Sequence, residues 1–228
     1  MNALILAAGM GTRMRPLTDD RPKCLVPVLG VPIVERQIRL LKEAGIDDIV
    51  LLSGYRADRL DYLKGKFGVE IIPNPRYETV NNISSMFAAL DWFGDSFVLE
   101  GDVYMSEGCF LPRPSVSTYY SVWRDGYTRE WGLEVDASGK LTNVIVGDGT
   151  GYIMSGISYW TKPDAAIIAR RIRMLMSGSE ASYKNLFWDN AVLDVRSRLD
   201  IHVQGVGCLW ELDTPEELLK LECRLTGG

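Results

Sequence analysis

Residues 2–7 (Asn-Ala-Leu-Ile-Leu-Ala) form an apolar run that gives way at once to Gly9 and Gly11. A run this short, continuous rather than alternating and bounded by glycine, suits a strand buried on both faces of a parallel sheet. Such a strand must be covered by helices on both sides, and the next hundred residues supply them. Residues 32–44 carry apolar side chains at helical spacing and stop at Gly45, a C-cap signal. A strand at 49–52, a helix near 59–66, a strand at 69–72, a helix at 83–93 and a strand at 97–100 follow, the last ending at Gly101-Asp102. Strands and helices alternating in this way predict right-handed βαβ units and an open parallel sheet.

After Asp102 the rhythm changes. Residues 118–123, 132–136, 141–146 and 152–160 read as strands, with a hairpin turn at 136–139. Helices at 163–176 and 185–198 follow, then strands at 201–204 and 208–211. Thr214-Pro215-Glu216-Glu217 opens a last helix, with Thr214 as N-cap, Pro215 in the first turn and Glu217 completing a capping box. No stretch rich in Gly, Ser or Pro divides the chain. The expected fold is therefore one α/β, Rossmann-like domain over residues 1–228, with a mixed, mostly parallel central sheet flanked by helices and a smaller β-rich elaboration.

Of the 228 residues 46% are hydrophobic, enough for a sizeable core, and the net charge of −5 argues against nucleic acid or an anionic membrane as partner. The opening apolar run lacks the basic region of a signal peptide and is far shorter than a spanning helix. Cys24, Cys109, Cys208 and Cys223 show no metal-ligand spacing and read as reduced thiols, so a cytoplasmic protein is expected.

In an acidic chain, a phosphate site needs a local concentration of positive charge. Arg13, Arg15, Arg21 and Lys23 provide one directly after the first strand, where the backbone N–H groups around Gly9 and Gly11 can form an anion-binding nest. The Walker A pattern is absent, and the dinucleotide motif Gly-x-Gly-x-x-Gly fails at its third glycine, where Met14 stands.

The segments Leu6-Ala-Ala-Gly-Met-Gly-Thr-Arg-Met-Arg-Pro-Leu-Thr18, Pro22-Lys23-Cys-Leu-Val-Pro27 and Gly30-Val-Pro-Ile33 resemble the signature of the nucleoside-triphosphate transferases. These enzymes join a nucleoside triphosphate to a sugar phosphate or an alcohol phosphate. The resemblance implies nucleotide binding by Leu6, Ala7, Ala8, Gly9, Gly11, Thr12, Arg13, Lys23, Asn81 and Asn82, with Arg13 and Lys23 acting on the triphosphate. It implies metal binding by Asp102, at the end of a core strand, and by Asp213, just before the last helix. Mg²⁺ favours such carboxylates and takes only one or two from the protein.

In the second half, aromatic residues stand beside acids, at Glu130-Trp131 and Trp188-Asp189. Aromatic faces attract a quaternary ammonium, and a carboxylate adds charge neutralisation. The segments Ser121-Val-Trp-Arg124, Glu130-Trp131, Ser155-Gly-Ile-Ser-Tyr-Trp160 and Phe187-Trp-Asp-Asn190 are similar to the bacterial CTP:phosphocholine cytidylyltransferases. On that resemblance Glu130, Trp131, Tyr159, Trp188 and Asp189 bind the acceptor; residues 1–115 serve mainly the nucleotide, and 116–228 the acceptor and second metal carboxylate. The implied reaction is Mg²⁺-dependent transfer of a cytidylyl group from CTP to phosphocholine by in-line displacement, giving CDP-choline and pyrophosphate. A phosphomonoester is mostly dianionic at neutral pH, so no general base is required, in keeping with a chain whose one histidine is His202. A sugar-1-phosphate nucleotidyltransferase and a non-catalytic nucleotide sensor are the alternatives.

Overall fold

The computed structural model describes residues 1–106 and 114–227. The first half runs β1 (Asn2–Ala7), a small hairpin of β2 (Pro27–Val28) and β3 (Val31–Pro32), α1 (Ile33–Glu43), β4 (Ile49–Ser53), α2 (Tyr62–Phe67), β5 (Glu70–Pro73), α3 (Ile83–Ala88), β6 (Ser96–Glu100) and β7 (Val103–Met105). The second half runs β8 (Ser117–Val135), β9 (Leu141–Trp160), α4 (Lys162–Met176), α5 (Glu180–Tyr183), α6 (Trp188–Val195), β10 (Ile201–Gly205), β11 (Leu209–Glu211) and α7 (Pro215–Leu225).

Seven strands form one sheet in the order β10-β8-β9-β6-β1-β4-β5. The pairs β1–β4, β1–β6, β4–β5 and β8–β10 are parallel, while β9 runs antiparallel to both β6 and β8. Because β1 lies between two parallel neighbours, its side chains are buried on both faces, which is why its sequence is apolar without alternation. Leu4 faces the side covered by α3, α4 and α6, and Ile5 the side covered by α1 and α2. Each such fully buried side chain stabilises the fold by roughly 1.5–3 kcal/mol.

The four strands expected between residues 118 and 160 are two long ones. Residues 124–130 and 147–151 lack the alternation of a strand, yet they stay paired across a series of register shifts. Glycine makes this possible: the Tyr127 ring lies over Gly132 and Gly149, where any side chain would collide with it. The expected helix at 185–198 begins only at Trp188, because the Phe187 N–H is capped by Asn190 Oδ1 at 2.8 Å. The expected helix at 83–93 ends at Ala88, and that near 59–66 is a single turn at 57–60 followed by α2. The capping box of Thr214 and Glu217 forms as expected.

Cys24 and Cys223 are free thiols, whereas Cys208 is disulfide-bonded, a correction to the reading of scattered reduced cysteines; Cys109 lies outside the described residues. Among the described residues no helix is long and apolar enough to cross a membrane.

Candidate active site

A cavity of about 950 Å³ opens at the C-terminal ends of β1 and β6 and extends beneath the β8–β9 hairpin. This is where an open α/β sheet places its ligands. On one side runs the loop after β1. Gly11 holds a left-handed conformation (φ +59°), and a Cβ there would come within 2.9 Å of Lys23 Cβ. Glycine thus permits the short turn at 12–14 that brings Arg13 to the cavity and lets Lys23 pass close behind. Met14, standing where the dinucleotide motif wants glycine, is wholly buried among Val26, Val28, Ile33 and Leu212, and so anchors the loop. Of the four basic residues in the loop only Arg13 and Lys23 reach the cavity; Arg15 pairs with Asp19 and Arg21 with Asp20.

The floor of the cavity is acidic. Gly101 N–H donates to the Leu6 carbonyl at 2.9 Å, and a Cβ at Gly101 would crowd both Leu6 and Ala7. The chain therefore turns tightly there and presents Asp102 at the end of β6. Strand β11 pairs antiparallel with β7, setting Glu211 opposite Val103, and Leu212 N–H donates to the Asp102 carbonyl at 3.2 Å. This ribbon carries Glu211 and Asp213, two residues apart and on one face of an extended chain, to Asp102. Oxygen atoms of Asp102, Glu211 and Asp213 lie within 4.8 Å of one another.

Lys23 Nζ sits 2.6 Å from both Asp102 Oδ2 and Asp213 Oδ1, and Arg13 Nη2 lies 2.8 Å from Asp213 Oδ1. Burial disfavours the Lys23 ammonium, but Asp102 and Asp213 outweigh that effect and hold its pKa above the usual lysine value. Glu211 is open to the cavity yet enclosed by protein. That enclosure, with the charges of Asp102 and Asp213, pushes its carboxyl up to about 8. Asp102 Oδ1 is buried with no hydrogen-bond partner among the described residues. An orphaned carboxylate oxygen beside two further carboxylates fits a hard divalent cation.

The opposite end of the cavity is aromatic and acidic. Tyr119 O–H donates to Asp189 Oδ1 at 2.9 Å, and burial pushes the Asp189 carboxyl up to about 6 despite that bond. Asn82 bridges this end to the floor: its Nδ2 donates to Glu100 Oε1 at 2.9 Å, and its Oδ1 accepts the Trp188 backbone N–H, also at 2.9 Å. Enclosure and the neighbouring charges of Asp102, Asp189 and Glu211 drive Glu100 well above the usual carboxyl range, partly offset by a hydrogen bond from the Trp188 side chain. Trp131 meets Phe187 edge to face, with ring centroids 5.9 Å apart, at the rim. Glu130, beside Trp131, has its pKa raised chiefly by burial.

Of the residues expected from sequence, Leu6, Ala7, Ala8, Gly9, Gly11, Thr12, Arg13, Lys23, Asn81, Asn82, Asp102, Glu130, Trp131, Trp188, Asp189 and Asp213 all line this one cavity. Tyr159 does not. The pleat of β9 sends Ser158 and Trp160 toward α4 and α6 but Tyr159 to the other face, against Phe97, with its hydroxyl 2.6 Å from Asp95 Oδ1. Tyr119, on β8, lines the cavity instead. Glu211, Glu100 and Phe187 are the further functional candidates that the sequence reading missed. Glu211 carried a usable signal, since Glu211 and Asp213 stand two residues apart in an extended segment and so share a face.

A glycine loop with a lysine and an arginine, facing a carboxylate cluster at the strand ends, defines a nucleotidyltransferase-type site, and residues 3–108 match the family described as the MobA-like NTP transferase domain. The choline-phosphate cytidylyltransferase of Streptococcus pneumoniae is 38% identical, over 97% of both chains. The 2-aminoethylphosphonate cytidylyltransferase of Lancefieldella rimae is 39% identical, over 95% of this chain and 90% of that one. A solved structure of the CTP:phosphocholine cytidylyltransferase from Streptococcus pneumoniae superposes with a TM-score of 0.94, at 38% identity and 98% coverage of each chain. The chain belongs to the nucleoside-triphosphate transferase family and is a nucleotidyltransferase of the phosphocholine cytidylyltransferase type.

Proposed function

We propose that the protein transfers the cytidylyl group of CTP to phosphocholine, releasing pyrophosphate and CDP-choline. The observation that carries the choice of acceptor is the state of the carboxyls at the aromatic end. Asp189 already accepts a bond from Tyr119, and Glu100 accepts bonds from Asn82 and Trp188. Asp189, its carboxyl pushed up to about 6, still carries negative charge at neutral pH beside the aromatic rim. A trimethylammonium group donates no hydrogen bond and needs only charge and aromatic faces, which Trp131, Phe187 and Tyr119 supply. A primary ammonium would bring three donors to be satisfied. The similarity to a 2-aminoethylphosphonate cytidylyltransferase keeps a second reading in view, in which that aminophosphonate is the acceptor.

On this reading the backbone from Gly9 to Arg13 and the side chains of Arg13 and Lys23 bind and orient the triphosphate. Asp189 and the aromatic rim orient phosphocholine so that a phosphate oxygen faces the α-phosphorus. That oxygen forms the new P–O bond in line as the bond to pyrophosphate breaks. The attacking phosphate is already dianionic near neutral pH, so no side chain need remove a proton. Lys23 and Arg13 neutralise charge on the transferring group and act by position and electrostatics. Asp102, Glu211 and Asp213 would hold Mg²⁺, which when bound supplies further neutralisation of phosphate charge.

The test is pyrophosphate release with CTP, UTP, GTP and ATP, each paired with phosphocholine, 2-aminoethylphosphonate and hexose-1-phosphates. Release is expected with CTP and phosphocholine above every other pair. Preference for a hexose-1-phosphate would return the sugar-nucleotide alternative, and CTP binding without any release would return the sensor.

A further inference from the structure

Helix α1 turns a buried stripe toward the sheet, and Val34, Ile38 and Leu41 lie on it as helical spacing requires. Gln37 stands in the same stripe and is wholly buried. A buried amide needs partners. Gln37 finds two: its Nε2 donates to the Glu100 carbonyl at 2.9 Å and to the Val103 carbonyl at 2.8 Å. Carbonyl oxygens only accept, so the atom facing them is the nitrogen and the direction of the amide is fixed. Its Oε1 is then left buried with no hydrogen-bond partner among the described residues. A methionine would fill similar space and strand no acceptor, so packing alone does not account for a glutamine here.

The two carbonyls stand at either end of the turn 100–103, which joins β6 to β7 and presents Asp102. Backbone bonds hold the middle of that turn, from Gly101 N–H to the Leu6 carbonyl at 2.9 Å and from Leu212 N–H to the Asp102 carbonyl at 3.2 Å. Lys23 Nζ takes Asp102 Oδ2 at 2.6 Å, and Oδ1 is left without a partner among the described residues. We infer that Gln37 is a positioning residue for Asp102, tying both ends of the turn to α1 so that Oδ1 is held ready for a divalent cation. The inference rests on the reading of Asp102, Glu211 and Asp213 as a Mg²⁺ site. Gln37 does not line the cavity, so it acts through the turn and not on the nucleotide or the acceptor. Mg²⁺ demands near-ideal octahedral geometry, and a carboxylate free to swing binds it poorly. Removing an outer partner of a metal ligand typically costs about 10- to 100-fold in metal affinity.

The experiment measures CTP binding by calorimetry, without acceptor, once with Mg²⁺ and once with EDTA. The ratio of the two affinities is the contribution of the metal, read without turnover. It is compared in wild type, Gln37→Met, Gln37→Asn and Ile38→Val, with thermal melting as the check on folding. Gln37→Met should lose most of the Mg²⁺-dependent gain, and the Mg²⁺ concentration giving half-maximal rate should rise about tenfold or more. Its CTP affinity in EDTA should match wild type. Ile38→Val, which removes a methyl group from the same helix face, should keep the wild-type gain. Gln37→Asn draws the amide back by one methylene so that it cannot span both carbonyls, and it carries the same comparison should Gln37→Met fail to fold. A wild-type gain in the Gln37 variants overturns the assignment, as does an equal loss of CTP affinity with Mg²⁺ and with EDTA, which marks a merely structural role. Failure of the metal reading itself would show differently, as wild-type affinity indifferent to Mg²⁺.

Discussion

Lys23 Nζ and Asp102 Oδ2 lie 2.6 Å apart although 79 residues separate them in sequence. The loop after β1 and the end of β6 are brought together because the two strands are parallel neighbours. Asp213, which also binds Lys23 at 2.6 Å, arrives from the other end of the chain through the β7–β11 ribbon. One ammonium thus holds two carboxylates at the point where the nucleotide loop meets the cavity floor. Replacing Lys23 with Ala should lower kcat/KM about 10²-fold or more, as for removal of one electrostatic stabiliser of a transition state. Steady-state pyrophosphate release measures this, and near-normal turnover would contradict the role.

Glu211 is expected to act with Asp102 and Asp213 on a divalent cation. EDTA should abolish turnover and excess Mg²⁺ restore it. In Glu211→Gln the Mg²⁺ concentration giving half-maximal rate should rise about tenfold, as for loss of one contributor to a metal site. A titration curve superimposable on wild type would remove Glu211 from the metal set.

Asp189 supplies a pH test. Its carboxyl is pushed up to about 6, so it is neutral below that pH and charged above it. Choline, which has no group titrating in this range, should inhibit better as pH rises through about 6, and Asp189→Asn should flatten that dependence and raise the acceptor KM ~30-fold. The same shift has the opposite sign for folding. With a folded pKa above the unfolded one, the native state binds more protons between the two values, so this group's contribution to stability falls as pH rises. Asp189→Asn should therefore melt no lower than wild type at pH 8 without ligand. A pH-independent inhibition constant in wild type would contradict the assignment.

Trp131 and Tyr159 form a contrasting pair. Trp131→Ala should raise the phosphocholine KM between about three- and thirtyfold, the range of a cation–π contact. Tyr159→Phe should leave KM unchanged and cost about 1 kcal/mol of stability, by losing the bond to Asp95. A change in acceptor KM for Tyr159→Phe would reverse the correction.

The reason Tyr159 was misplaced also shows what the sequence carried. β1 was legible because burial on both faces leaves a continuous apolar run, and the last helix because a capping box is a local device. The Gly9–Lys23 loop was legible because glycines and basic residues follow a strand without interruption. Which face a residue of β9 takes depends on pairing with β6 and β8, and the pairing on register shifts that leave no local mark. Glu211 reaches Asp102 only through the β7–β11 pairing, a contact between segments a hundred residues apart.

The central claim, cytidylyl transfer to phosphocholine, is tested most directly by competition in one tube. CTP and Mg²⁺ are incubated with the enzyme and equal concentrations of phosphocholine, 2-aminoethylphosphonate and glucose-1-phosphate, and the products are separated and weighed by mass spectrometry. CDP-choline should exceed every other cytidylylated product by about tenfold or more, the discrimination expected when a buried carboxylate and aromatic faces receive a cation that donates no hydrogen bond. A mixture dominated by the 2-aminoethylphosphonate or glucose product would contradict it.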